Sequence, residues 1–249
     1  MRKLLYLMIV MMMATAVSSQ NNPYDYVQET PFLTNKEFSL GLTLHSHGFG
    51  LNFRKGENLT VDKKRLYEVE FVSMKHPKEY KTVSYRAEKP KTFIFGKMNA
   101  LLVGHGGYRM EKILFTKTEP STFEIRLHAT AGPSFGFTKP VYLVFAINNP
   151  PGEQRVVAKY DPNNPNHDLE NIYGKAEFTK GFDEIKVYPG LYLKTGAMFE
   201  YDPLNDGITA VEVGMMLDAY GKKIPIMAFA RNKQWWFNFY ITVLFGRKS

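Results

Sequence analysis

The residues best suited to metal binding lie in the stretch His45-Ser46-His47 and in a polar stretch at 161–168. The two histidines fall on one face of an extended segment, as alternate residues of a strand do. Two ligands alone do not complete a metal site. The Asp and Asn residues of 161–168 lack the regular spacing of a calcium-binding loop. The sequence therefore predicts no metal site and no cofactor.

A second group of reactive residue types lies between positions 124 and 134. Glu124, His128 and Ser134 fall on one face and are the residue types of an ester hydrolase. Such an enzyme needs its base within hydrogen-bond reach of the serine. On an extended strand, Ser134 lies roughly 20 Å from His128, at about 3.3 Å per residue. These residues cannot form a triad together, so we predict no catalytic residue.

The stretch 45–47 and the group at 124–134 belong to segments in which apolar and polar residues alternate. Period two indicates a β-strand whose two faces meet different environments. In the last stretch of the chain, the apolar face consists of Trp235, Phe237, Phe239, Ile241, Val243 and Phe245. A strand of this kind either buries its apolar face in a soluble core or presents that face to lipid.

The opposite faces of these strands carry many charges. They comprise Arg54, Glu68, Glu70, Glu124, Arg126, Lys194, Glu200, Glu212 and Asp218. A soluble core cannot hold so many charges, because burying them unpaired costs too much free energy. We therefore predict an all-β fold, an antiparallel transmembrane β-barrel with apolar faces towards lipid and charged faces towards the lumen. We expect the lumen charges to pair and fill the interior; a soluble β-sandwich is the alternative.

The number and lengths of the connections also favour a barrel. The pattern gives eight strands, or ten if the segments 93–115 and 123–147 each contain a turn, and a short helix at 108–115 is a further alternative. The short connections, at the end that holds both termini, are 56–64, 116–121 and 203–206. The longer loops, which we expect to be extracellular, are 76–92, 148–189 and 220–234. Membrane barrels sort their connections in this way.

The loop 148–189 is the candidate interaction surface. A polar connection of this length is usually functional or exposed. Its aromatic residues are Tyr160, Tyr173, Phe178 and Phe182. Because exposed aromatic side chains are common in protein interfaces, we expect this loop to fold over the barrel mouth or to bind a partner.

Composition removes several classes of function. The 249 residues include no cysteine, which excludes disulfides, thiolate metal ligands and a cysteine nucleophile. The net charge is +8, but the basic residues are scattered and form no stripe interleaved with aromatic residues. We therefore predict no nucleic-acid binding.

The N-terminus has the pattern of a secretory signal peptide. Arg2 and Lys3 precede an apolar run that is too short to span a membrane, and small residues follow at 14–19. The predicted organisation is a signal peptide at 1–19, a periplasmic lead-in at 20–37 and an outer-membrane barrel at 38–249.

Several stretches resemble outer-membrane β-barrel proteins of Bacteroidota. They are the terminal strand that ends at 245–247 and the segments 74–79, 131–140 and 180–185. The resemblance covers most of the chain, from Phe38 to Lys248. It implies a barrel of eight to ten strands in the outer membrane of a Gram-negative envelope, and it implies no catalytic residues.

Together these observations predict an exported outer-membrane protein without enzymatic activity. We expect a structural or partner-binding role in the cell envelope, with outer-membrane lipids and envelope proteins as partners. The alternatives are an outer-membrane hydrolase that modifies lipid and a narrow channel for small polar solutes.

Overall fold

The alternating segments form β-strands in a computed structural model that describes residues 36–60, 62–84, 91–115, 123–149, 152–201 and 207–248. The strands are β1 Lys36–His45, β2 Gly48–Asn58, β3 Lys63–Met74, β4 Lys81–Ser84, β5 Lys91–Ile94, β6 Asn99–Phe115, β7 Glu124–Pro140, β8 Tyr142–Asn149, β9 Gly152–Lys159, β10 Ile172–Lys175, β11 Lys186–Tyr201, β12 Gly207–Tyr220 and β13 Trp235–Lys248. The expected signal peptide at 1–19 and the lead-in up to residue 35 lie outside the described residues. The last two residues of the expected lead-in, 36–37, belong to β1.

Eight of these strands close into one barrel with the order β1-β13-β12-β11-β7-β6-β3-β2. Every neighbouring pair is antiparallel, and β1 closes the barrel on β13, from Glu37 opposite Lys248 to His45 opposite Tyr240. Closure pairs every strand on both sides and leaves no open sheet edge. The predicted barrel is confirmed, with eight strands and not ten.

The barrel wall is apolar outside and polar inside. Along β13, Phe237, Ile241 and Phe245 are exposed, whereas Asn238 and Thr242 are fully buried. The same alternation runs along the other seven wall strands, with charged residues on the inner face. A soluble protein has the reverse arrangement. The fold is therefore that of an antiparallel transmembrane β-barrel.

Strand β6 is one continuous strand, and neither the hairpin nor the short helix considered for 93–115 is present. The glycine-rich run 104–107 suggested a break, but all of its residues pair with β3, and Gly104 and His105 also pair with β7. A Cβ atom at Gly107 would lie 1.9 Å from the Tyr192 hydroxyl, so glycine there makes room for a tyrosine that projects into the lumen. Gly107 therefore accommodates a lumen side chain, and the run does not end the strand.

Strand β7 ends at Pro140, and the alternation that continues after it belongs to a different sheet. Proline has no backbone N–H to donate to a ladder, and Val141 donates instead to the Met98 carbonyl at 2.9 Å. Strand β8 then pairs with β9 and β10 to form a three-stranded sheet, the loop sheet. The loop expected at 148–189 thus contains strands of this sheet; the connection between the barrel strands is 141–185, and residues 186–189 belong to β11.

The three longest connections of the barrel all lie at one end, together with the two-residue turn 46–47. The turn end carries 59–62, 116–123 and 202–206, and the loop end carries 46–47, 75–98, 141–185 and 221–234. The connection 75–98 contains the hairpin β4–β5. The loop sheet and this hairpin share a small core that consists of Phe93, Leu143, Phe145, Tyr160 and Ile172. Among the described residues, no helix has the length and apolar character of a membrane-spanning segment.

Candidate functional site

The lumen of the barrel is the largest cluster of charged groups in the described part of the chain. The structure places all nine residues that the sequence assigned to the lumen on the inner wall with buried side chains: Arg54, Glu68, Glu70, Glu124, Arg126, Lys194, Glu200, Glu212 and Asp218. Every buried lysine and arginine of the described residues lies next to a carboxylate. Each of these buried cations is therefore compensated by a carboxylate inside the barrel.

Glu212 is the centre of this network. Its carboxylate accepts two hydrogen bonds from Arg54, at 2.7 and 3.0 Å, and one from Arg109 at 2.6 Å. The Tyr240 hydroxyl donates to it at 2.8 Å, and His128 Nε2 lies 3.3 Å away. Bidentate, charge-assisted contacts of this kind are among the strongest hydrogen bonds in proteins. These contacts join β2, β6 and β7, which lie across the barrel, to β12.

Lys194, on β11, connects two further carboxylates to the same network. Its ammonium group donates to Glu68 and to Glu70, each at 2.9 Å, and lies 4.6 Å from the centre of the Tyr240 ring. Glu68 in turn contacts Arg54 Nε at 3.0 Å. Removing one charge would leave its buried partners with less compensation, which is why such networks are costly to break.

Arg126 gathers the carboxylates near the turn end. It donates to Glu124 at 2.5 Å and to Glu200, and it lies 3.3 Å from both Glu37 and Glu111. One guanidinium thus contacts four carboxylates through its three nitrogens. This cluster fills the lumen between the central network and the turn end.

The loop end of the lumen is closed by apolar residues. Ile224 and Ile226, from the connection 221–234, are fully buried and pack with Trp236 and Tyr220 in one cluster. Among the described residues, the lumen thus holds a cluster of paired charges below an apolar cap. The interior of an eight-stranded barrel is narrow enough for side chains to fill it in this way.

Ser134 and His128 both point into the lumen but do not form a nucleophile–base pair. The Ser134 hydroxyl bonds to Asp218 at 3.1 Å and to the Tyr220 hydroxyl at 3.0 Å. His128 Nε2 bonds to the Tyr240 hydroxyl at 3.0 Å. Acyl transfer by this pair requires His128 to bond to the Ser134 hydroxyl, and neither residue makes that contact.

The two histidines at the β1–β2 turn share one amide oxygen. The Asn238 Oδ1 atom lies 3.3 Å from His45 Nδ1 and 2.5 Å from His47 Nδ1. Within the described ranges, no group of three or more His, Asp or Glu residues is placed to hold a metal ion. A shared amide between two strands and a turn is a structural contact.

Several lumen residues were missed by the sequence analysis. Arg109, Glu111 and His105 face the lumen from β6, the segment whose strand was ambiguous. His105 lies 2.7 Å from Asp218. Glu37, which was assigned to the lead-in, pairs with Lys64 at 2.7 Å. The inward-facing residues of β6 are the odd-numbered ones from Val103 to Glu111. This alternation is present in the sequence and would have identified His105, Arg109 and Glu111 as lumen residues.

The four aromatic residues expected on the long loop do not form one exposed surface. Tyr160 is 6% exposed and packs in the small core with Phe95 and His167 nearby, so its expected role as an exposed binding residue is wrong. Phe178 and Phe182 are 67% and 49% exposed. Tyr160 is buried because two other segments, β5 and β8, cover it.

His167 is a structural histidine in the loop sheet. Its ring stacks on Phe145 with the ring centres 3.9 Å apart, and its Nδ1 accepts the Asp161 N–H at 2.9 Å. Burial lowers the pKa of His167, because the charged imidazolium would lose its hydration. The neutral form is thereby favoured, as the hydrogen bond from Asp161 requires.

No family model and no curated protein matches the chain. Among solved structures it is similar to Neisserial surface protein A, with 10% identity and a TM-score of 0.38 over 86% of this chain and 96% of that chain. It is also similar to Ail of Yersinia pestis in complex with the heparin analogue sucrose octasulfate, with 7% identity and a TM-score of 0.39 over 86% and 96%. A third similar structure is the N-terminal β-barrel domain of OprF from Pseudomonas aeruginosa, with 7% identity and a TM-score of 0.34 over 85% and 97%. With TM-scores below 0.5, these similarities carry no information about function.

Proposed function

We propose that this protein is an integral outer-membrane β-barrel without enzymatic activity, a structural or partner-binding component of the cell envelope. The observation that carries the proposal is the barrel itself, apolar on the outside and filled with paired charges inside. A lumen filled with side chains favours a role in holding the loop sheet and the hairpin at the membrane surface over conduction. The N-terminal pattern at 1–19 supports export, and the resemblance of the closing strand supports an origin in Bacteroidota.

The channel alternative has less support than the plugged barrel. A conducting pore needs a continuous polar path, whereas here Arg54, Arg109 and Lys194 are held across the lumen by carboxylates, and Ile224 and Ile226 cover the loop end. The hydrolase alternative also has less support, because Ser134 bonds to Asp218 and Tyr220 and not to His128.

The exposed aromatic residues beside the loop sheet support a partner-binding surface. Phe178 and Phe182 pack edge to face with ring centres 5.4 Å apart, and the Lys139 ammonium lies 4.7 and 4.9 Å from those centres. The lysine holds both rings in place while they remain exposed. Rigid aromatic side chains of this kind bind partners at low cost in conformational entropy.

The first test is fractionation combined with conductance. We expect the full chain in the outer-membrane fraction, with slower migration on gels after heating, because an unheated barrel stays folded in detergent. We also expect no ion conductance in planar bilayers, since the lumen is filled. A freely soluble product would refute the membrane assignment, and stable single-channel currents would support the channel instead.

The second test is photo-crosslinking from the aromatic surface in living cells. A benzoylphenylalanine in place of Phe182 should give a discrete cross-linked product with an envelope protein, because this side chain is exposed beside the loop sheet. The matched control places the same residue at Lys222, which is exposed on a different loop at the same end. Equal labelling from both positions, or none from Phe182, would contradict the proposed surface.

A further inference from the structure

A cavity of about 280 Å³ lies where β6 and β7 meet the loop sheet. Its apolar lining includes Phe93, Val141, Leu143 and Phe178. Its lysines are Lys81, Lys97, Lys139 and Lys175, and Glu177 is an acidic lining residue. A volume near the lower end of small-molecule pockets, roughly 300–1,000 Å³, suits a polar headgroup better than a long chain.

The cavity lies against the outer face of the barrel and not in the lumen. Ala100 and Lys139, which both line the cavity, are opposite each other in the β6–β7 ladder, so their side chains share a face. The next pair along the ladder, Leu101 and Thr138, is buried inside the barrel. The cavity therefore lies on the outer face of the barrel wall, which carries the exposed apolar side chains that we call the apolar belt. Along β6 it is next to the exposed Leu102, which belongs to that belt.

The charge of the cavity is only partly neutralised by the protein. Lys97 pairs with Glu79 at 2.5 Å. Lys139 donates to the carbonyls of Phe178 and Lys180 at 2.7 and 2.8 Å. Lys81 and Lys175 make no ion pair with any described residue. Lysine is a point-charge donor that suits a phosphate group. The ammonium groups of Lys81 and Lys175 are therefore able to bind an anion in the cavity.

We propose that this cavity binds the phosphate group of an outer-leaflet lipid, whose acyl chains then lie along the apolar belt. The lysines supply charge-assisted donors to the phosphate, and Phe93, Val141 and Phe178 contact the non-polar part of the headgroup. The continuity of the cavity with the belt at Leu102 favours a lipid over a soluble anion. This proposal rests on the membrane placement proposed above.

The test uses the full chain, purified in zwitterionic detergent, with three probes whose binding is measured by native mass spectrometry. The probes are dioleoyl phosphatidic acid, dioleoylglycerol and inorganic phosphate. We expect binding of phosphatidic acid but not of dioleoylglycerol. The double variant K81Q/K175Q should weaken that binding roughly tenfold or more, because two charged donors are lost.

The matched control is K222Q/K223Q, which removes the same charge from an exposed loop at the same end of the barrel. It should change binding less than about twofold, because distant exposed charges are screened. K81R/K175R, which keeps the charge, should retain binding, and heat-modifiable migration verifies that each variant is folded. Equal weakening by both glutamine variants would overturn the site, and full competition by an equal concentration of inorganic phosphate would overturn the lipid as its source. Because binding is measured in detergent, a failure of the membrane assignment would appear in fractionation and not here.

Discussion

Replacing Glu212 with alanine is expected to destabilise the barrel by about 3–5 kcal/mol, the usual cost of removing one partner from a buried ion pair. Arg54 and Arg109, both buried, would then lie close together without the carboxylate between them. Their mutual repulsion and lost hydrogen bonds would raise the free energy of the folded state. Urea unfolding of the protein in lipid vesicles, followed by tryptophan fluorescence, measures the change.

The matched control removes a carboxylate from an exposed pair on the neighbouring strands. Glu57 contacts Arg65 with side chains that are 47% and 37% exposed, so E57A should change the free energy of unfolding by roughly 0–1 kcal/mol. Equal effects of E212A and E57A would contradict the proposed importance of the lumen network.

A double variant separates the loss of the ion pair from damage to the fold. In E212M/R109M, Arg54 still has Glu68, and Glu111 still has Arg126, so the remaining charges stay paired. We expect this variant to recover at least about half of the stability lost in E212A, because apolar replacement of a whole buried pair is often close to neutral. Additive losses would show that Glu212 and Arg109 are not coupled.

The wall of the barrel was predictable because each residue in it meets one of two environments. Alternation in 235–248 therefore indicates the strand and both of its faces. The charged residues on one face of the other strands indicate which face lines the lumen. The same rule was not applied to β6, because the glycine run 104–107 looked like a break. Arg109 and Glu111 were missed for that reason and because a short helix at 108–115 was an open alternative.

The partners within the lumen were not predictable from spacing. Arg54 and Glu212 are 158 positions apart in the chain and meet across the barrel. Which side chains meet depends on how far each strand is shifted against its neighbour when the barrel closes, and short sequence patterns do not contain this shift. The burial of Tyr160 was hidden for a related reason, because Phe93 and Phe145 come from two other segments.

An arginine in place of Ile241 is expected to destabilise the barrel by about 2–4 kcal/mol in a bilayer, the cost of a cation on the lipid-facing side near the midplane. Ile241 is near the middle of β13, between Leu44 and Val213, and its side chain points outwards. The variant changes no lumen contact, so its cost comes from the surroundings of the barrel. Urea unfolding in lipid vesicles measures it.

The depth of the substitution provides the control. Phe245 is exposed on the same face of the same strand, nearer the turn end, so F245R should cost only about 0–1 kcal/mol. If the apolar belt faced water, I241R would be an ordinary surface substitution, within roughly 0.5 kcal/mol of the wild type. The difference between the two variants therefore measures the environment of the belt directly. A large cost at Ile241 with a small cost at Phe245 is expected of a barrel in lipid, whereas equal small costs would mean that the apolar face of β13 is not in contact with lipid.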